Sequence, residues 1–168
     1  SGTIGEVPFT YTLTRPNNTA LNLNSSGNLA NHSLFPTGFS VPNQTSIRND
    51  YVSINTLTFD SPMSNPVLAF SSIGNPSRPV SIEFPQPVEI VWSTGWGNGP
   101  DVRVDVGTRA AATQITGWEG NMIVRFNGTV DEFRFNYLSD ETYVNFAFGA
   151  SVFDLLSPEQ DTGIKNID

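Results

Sequence analysis

The sequence predicts an all-β fold, an antiparallel β-sandwich with jelly-roll-like strand order. Three observations predict it. Apolar and polar residues alternate with period two in short runs, as half-buried strands require. Gly, Pro, Asn, Asp and Ser separate the runs and supply turn geometry. The composition is also poor in helix formers: 14% of residues are charged, while Phe (12), Gly (14) and Pro (12) are abundant. Asn, Ser and Thr stand where a helical protein would carry Lys, Glu and Ala, and they suit turns and the wet faces of strands.

The elements follow in chain order. Phe9-Thr10-Tyr11-Thr12-Leu13-Thr14 alternates cleanly. Leu21 and Leu23 alternate inside an Asn/Ser/Gly-rich stretch, which gives a short strand. Residues 32–50 read as a loop plugged by Phe35 and Phe39 and broken by Pro36 and Pro42. Val52, Ile54, Leu57 and Phe59 mark a strand whose phase slip between Ile54 and Leu57 predicts a bulge. Val67 to Phe70 is a continuous apolar run, as in a central strand. Asn75 to Pro79 is a turn; Val80, Ile82 and Phe84 alternate after it; Pro85-Gln86-Pro87 turns the chain again; and Val88, Ile90 and Trp92 follow, with Trp92 assigned to the core.

A Gly-rich loop, Gly95 to Pro100, precedes Val102, Val104 and Val106, whose strand carries Asp101, Arg103 and Asp105 on its other face. A short strand around Ile115 ends near Gly117-Trp118-Glu119-Gly120. Ile123 to Phe126 leads into Asn127-Gly128, a strong hairpin signal. Val130, Phe133 and Phe135 begin the next strand, and Tyr143 to Phe153 closes the set. That makes ten to twelve strands, with one helical turn at 155–159. The sandwich is expected over residues 2–153, and 154–168 as a C-terminal tail or linker.

A chain of 168 residues is one domain long and buries a core without disulfide or metal staples. It has no cysteine, which removes disulfides, zinc-thiolate sites and thiol catalysis. Its formal net charge of −8 argues against nucleic acid, which demands a basic surface. No run of 18 apolar residues occurs, so no membrane insertion by a helix is expected. Sequon patterns begin at Asn17, Asn24, Asn31, Asn43 and Asn127, a number that an Asn-rich chain reaches by chance.

Three stretches resemble a recurring β-sandwich domain of bacterial secreted and surface adhesin-type proteins, similar to carbohydrate-binding modules. They are Thr56 to Phe59 with Asn65 to Pro76; Pro79 to Phe84 leading to Glu89-Ile90-Val91; and Gly117 to Asn121 with Ile123 to Thr129, followed by Tyr143 to Gly149. Gly2 to Tyr11 resembles the first strand of such domains. The resemblance covers most of 2–153. It implies an extracellular or cell-surface, lectin-like role and carries no catalytic motif with it.

The chemistry of the residues agrees with binding rather than catalysis, and no catalytic residue is assigned. The only histidine, His32, lies in a polar loop. No base, acid and nucleophile are placed together, and no Gly-rich loop leads from a strand into a helix. Glu83, Glu89, Glu119 and Glu132 could pair across a glycosidase cleft, but carboxylates on strands and turns are mostly solvated.

Sugars stack their C–H faces on aromatic rings and offer hydroxyls to Asn, Asp and Gln. Trp96, Asn98 and Asp101 in the Gly-rich loop, Trp118 in the second turn and Tyr143 near Asp140-Glu141 are the expected ligand contacts. A Ca²⁺ ion would take loop carboxylates, with Asp101 and Asp105 the first candidates and Asn98, Asp140, Glu141 and Asp154 behind them. The expected partner is a glycan or cell-surface ligand. The rival expectation is a structural or oligomeric fibre-tip module, such as a homotrimer, without a sugar site.

Overall fold

The structure, a computed structural model, describes residues 2–4, 7–16, 24–26, 46–49, 51–97, 99–140 and 144–149. Among them it contains twelve strands and no helix: β1 (Gly2–Ile4), β2 (Val7–Thr14), β3 (Asn24–Ser26), β4 (Ser46–Asn49), β5 (Ser53–Ser64), β6 (Val67–Ile73), β7 (Val80–Gly95), β8 (Arg103–Thr108), β9 (Ala111–Gly117), β10 (Gly120–Arg125), β11 (Thr129–Tyr137) and β12 (Val144–Gly149). The stretches 32–45 and 150–168 lie outside the described residues, as do Leu21 and Leu23.

All pairings are antiparallel. One sheet runs β1-β2-β5-β11-β7-β9-β8 and the other β7-β10-β6-β12-β4-β3. Strand β7 belongs to both. Its first half, Val80–Glu83, pairs with β9 and β11, and its second half, Glu89–Gly95, pairs with β10. The expected turn at Pro85-Gln86-Pro87 is the corner between the halves. Val80 faces Gly117 and Gly95 faces Gly120, so the strand leaves one end of the molecule and returns to it. A strand that changes sheets at a bend is how sandwich corners are made. Successive strands β5 to β6, β9 to β10, β10 to β11 and β11 to β12 all cross between sheets. These are jelly-roll-like crossings of an antiparallel sandwich.

Phenylalanine fills the space between the sheets. Phe70 lies at the centre, with ring centroids of Phe135 at 5.3 Å, Phe146 at 6.1 Å and Phe84 at 6.2 Å. Phe126 and Phe133 stack at 4.5 Å. Edge-to-face and offset pairs of this kind add to the area they bury. Every residue of β6 is buried, as its unbroken apolar run predicts for a central strand.

Local differences from the sequence reading have local causes. The slip at Ile54–Leu57 is not a bulge. Ile54 points outward and Asn55 inward, fully buried, where its Oδ1 accepts the Tyr11 hydroxyl at 2.6 Å and its Nδ2 donates to Ser53. A polar residue in the core broke the apolar alternation. Burial pushes the Tyr11 phenol far above its ordinary pKa. The register shift in β5 comes later, opposite Val130/Glu132.

Trp92 does not join the core. Val124 faces Ile90 and Ile123 faces Trp92, which makes Val91 the extra residue of a bulge. One added residue exchanges the faces of all that follow, so Trp92 stands half-buried beside Ile123 on the outer face. Val106 is turned out in the same way, by register shifts on both sides of it in β8. Asn127-Gly128 makes a turn but no hairpin. The Phe126 N–H donates to Pro66 O and the Gly128 N–H to Asn65 Oδ1, so β10 continues into β11 of the opposite sheet. The loop expected over 32–50 contains strand β4, which pairs with β12 and β3; one isoleucine in four residues gave no alternation to read.

Candidate functional site

The strand directions bring several of the described connections to one end of the sandwich. Residues 51–52, 74–79, 96–102, 118–119 and 138–140 all lie there, because β5, the first half of β7, β8, β10 and β12 start at this end while β6, β9 and β11 finish there. Among the described residues the opposite end holds the short turns at 65–66, 85–87, 109–110 and 126–128. We call them the loop end and the turn end. Among the described residues, three of the four exposed large apolar side chains, Tyr51, Trp96 and Leu138, belong to the loop end.

Glu119 ties the loop end together. Its N–H donates to Ile73 O at 2.9 Å, its carbonyl accepts from the Trp96 N–H at 2.9 Å, and its Oε1 accepts from the Ser72 hydroxyl at 2.5 Å. Its φ is 78°, and that of Ser72 is 59°. Left-handed backbone at non-glycine residues persists only where surrounding contacts over-determine it. Ser72 is the extra residue of a bulge against β10, and its N–H is met by the side chain of the fully buried Asn121 at 3.2 Å. The Nδ2 of Asn121 has no partner among the described residues.

The glycines serve backbone packing here. A Cβ on Gly74 (φ 69°) would overlap the carbonyl oxygen of Gly117, and one on Gly95 would overlap that of Gly99. The Gly-rich signal therefore marks a tight junction of chain segments. That junction joins the Trp96 loop to the Trp118 turn through Glu119, and so brings together two of the expected contacts.

Those contacts fare differently. The Trp96 side chain is 43% exposed, above a turn closed by Gly99 N–H to Trp96 O at 2.8 Å. Trp118 is half-buried, and the Arg103 guanidinium lies over its ring at 4.7 Å from the centroid. One face of that ring is thus occupied by a cation. Asp101 accepts from the Val102 N–H and has Arg109 at 3.7 Å. Asn98 and Tyr143 lie outside the described residues, as do Glu141 and Asp154.

Both oxygens of Asp105 are engaged, Oδ1 by Arg103 at 2.7 Å and Oδ2 by the Thr116 hydroxyl. Asp101 and Asp105 each face an arginine, and among the described residues no three carboxylate, histidine or cysteine groups collect in one place. Sequence reasoning left Arg103 without a role and weighed Glu119 only as one of four carboxylates. Arg103 faces Thr116 in register, two residues before Trp118 on the same face, so alternation in β8 and β9 held the signal.

Two further features lie away from this end. A concavity of about 160 Å³ is lined by Pro85, Gln86, Glu132, Phe133 and Arg134. It is smaller than the roughly 300–1,000 Å³ of ordinary ligand pockets. At the turn end Glu89 accepts from Asn127 Nδ2 at 3.0 Å and from Arg125 at 2.7 Å, and these bonds hold its carboxyl below the usual range.

Comparison with known proteins found no matching family model, no matching curated protein and no matching solved structure.

Proposed function

We propose that this domain is an extracellular recognition module that binds a glycan or cell-surface ligand at its loop end, without catalysing a reaction. One observation carries the reading. Trp96 exposes a large apolar ring on a loop whose backbone is fixed by hydrogen bonds to Glu119 and Gly99. An indole held still in water costs little further entropy when a sugar face stacks on it. Its exposure does not serve the core, which is filled by phenylalanine.

A glycan array probed with wild type and Trp96→Ala tests this. The expected result is binding to a restricted set of glycans, lost in the variant. Binding to no glycan, or binding indifferent to the change, overturns the reading. A second reading, an oligomeric structural module, is favoured by Val106, 51% exposed on β8, which pairs with β9 alone. A strictly monomeric mass in solution rejects it.

A further inference from the structure

Arg103 is held from two sides. Its guanidinium lies over Trp118, and its Nε donates to Asp105, whose other oxygen is anchored by the buried Thr116. Thr116 is itself 2.6 Å from the Ser81 hydroxyl, so the support runs back across three strands. The side chain is 63% exposed, and its two terminal nitrogens have no partner among the described residues. Stacking uses the face of a guanidinium and leaves its edge free to donate.

The acids around it are engaged. Asp101 faces Arg109, Glu119 accepts from Ser72, and Asp140 accepts the Val52 N–H at 2.7 Å. The 75–78 turn abuts the same corner, because the carbonyls of Arg78 and Gly117 both crowd Gly74. Exposed Arg78 likewise shows no side-chain partner among the described residues.

We propose that the loop end takes an acidic saccharide, with Arg103 receiving the sugar's carboxylate through its two terminal nitrogens. This rests on the recognition reading above and names the ligand class. A planar carboxylate matches the guanidinium fork with two parallel hydrogen bonds. The backbone of Trp96 is joined to Glu119, the neighbour of Trp118, so the Trp96 loop and the Arg103–Trp118 stack meet at one corner. Salt at about 0.15 M screens the repulsion from the net charge of −8 beyond about 8 Å, and the near charge of Asp105 is met at the Arg103 Nε, away from the two terminal nitrogens.

Calorimetric titration at that salt concentration, with a galacturonate trisaccharide and its fully methyl-esterified form, tests the assignment. The two probes differ at the carboxyls alone, which the ester leaves uncharged and capped by a methyl group. Wild type is expected to bind the acid about tenfold or more tighter than the ester, as hydrogen bonds to a charged group warrant. Arg103→Gln is expected to abolish the preference, weakening the acid far more than the ester. Arg103→Lys, which keeps charge but loses the fork, is expected to fall between. Trp96→Ala is expected to weaken both ligands.

Equal wild-type affinity for acid and ester overturns the inference and leaves the Trp96 reading standing, as does a preference that survives Arg103→Gln. Failure of wild type to bind either sugar overturns it as well, and a glycan-array signal dependent on Trp96 then still supports the broader reading. An unchanged urea midpoint for Arg103→Gln confirms that the variant is folded.

Discussion

The two ends of the sandwich use the same residue types in opposite ways. At the turn end the aromatics face inward, where Phe126 stacks on Phe133, and the turns are short and cross-bonded. Asn65 and Gly128 bond to each other twice, and Glu89, Arg125 and Asn127 form one network. At the loop end Tyr51, Trp96 and Leu138 face water, and Ser72 and Glu119 sit in left-handed backbone, as Asn65 does at the turn end. Exposed apolar surface costs stability, and this fold concentrates it at the loop end, while left-handed non-glycine backbone occurs at both ends. The turn end shows what this sequence does when only stability is asked of it.

The largest expected difference is in the aromatics. Phe126→Ala should cost about 3–5 kcal/mol by urea denaturation, the usual range for a buried phenylalanine. Trp96→Ala should stay within about 0.5 kcal/mol of wild type, as surface changes do. A large loss in Trp96→Ala would place that ring in the packing and break the contrast.

Glycine gives the next difference. Gly74→Ala should cost more than about 3 kcal/mol, because the added methyl overlaps a backbone oxygen and the φ of 69° is unfavourable besides. Gly128→Ala meets open space, so only its φ of 111° is penalised, about 1–2 kcal/mol. Equal losses would show that the loop-end junction is less closely packed than its geometry states.

Glu119 gives a smaller one. Glu119→Gly loses the Ser72 bond but relieves the backbone, and it should be nearly neutral. Glu119→Ala loses the bond and keeps the strain, and it should cost about 1 kcal/mol. The order of the two midpoints is the check.

The smallest concerns pH. The carboxyl of Glu89 is held low in the folded state. Its contribution is therefore full above the unfolded carboxylate pKa of about 4.3 and is lost as pH falls through the folded value. Wild type should exceed Glu89→Gln by about 1 kcal/mol at pH 7, a fair value for a partly exposed pair, and the gap should close as pH falls through the folded value. A gap that widens in acid would contradict the assignment.

The sequence showed the sandwich and the position of most strands, because alternation is a direct image of a half-buried sheet. It misplaced Trp92 and Val106, since one bulge residue reverses a face and leaves no mark in composition. It read Asn55 as a gap in a pattern, because a hydrogen-bonded core amide looks polar in isolation. For the site, Trp96 was legible as an aromatic that no strand demanded. Arg103 was not, because its meaning depends on Thr116 and Trp118 lying one strand away, and only the register brings them together.

The central claim is that recognition belongs to the loop end. Amide chemical-shift mapping with the best glycan from the array tests it most directly. Shifts are expected at residues 74–79, 95–103 and 117–120, with the turns at 65–66 and 126–128 unmoved. Shifts centred on the turn end, or on the Pro85–Arg134 concavity, would contradict it.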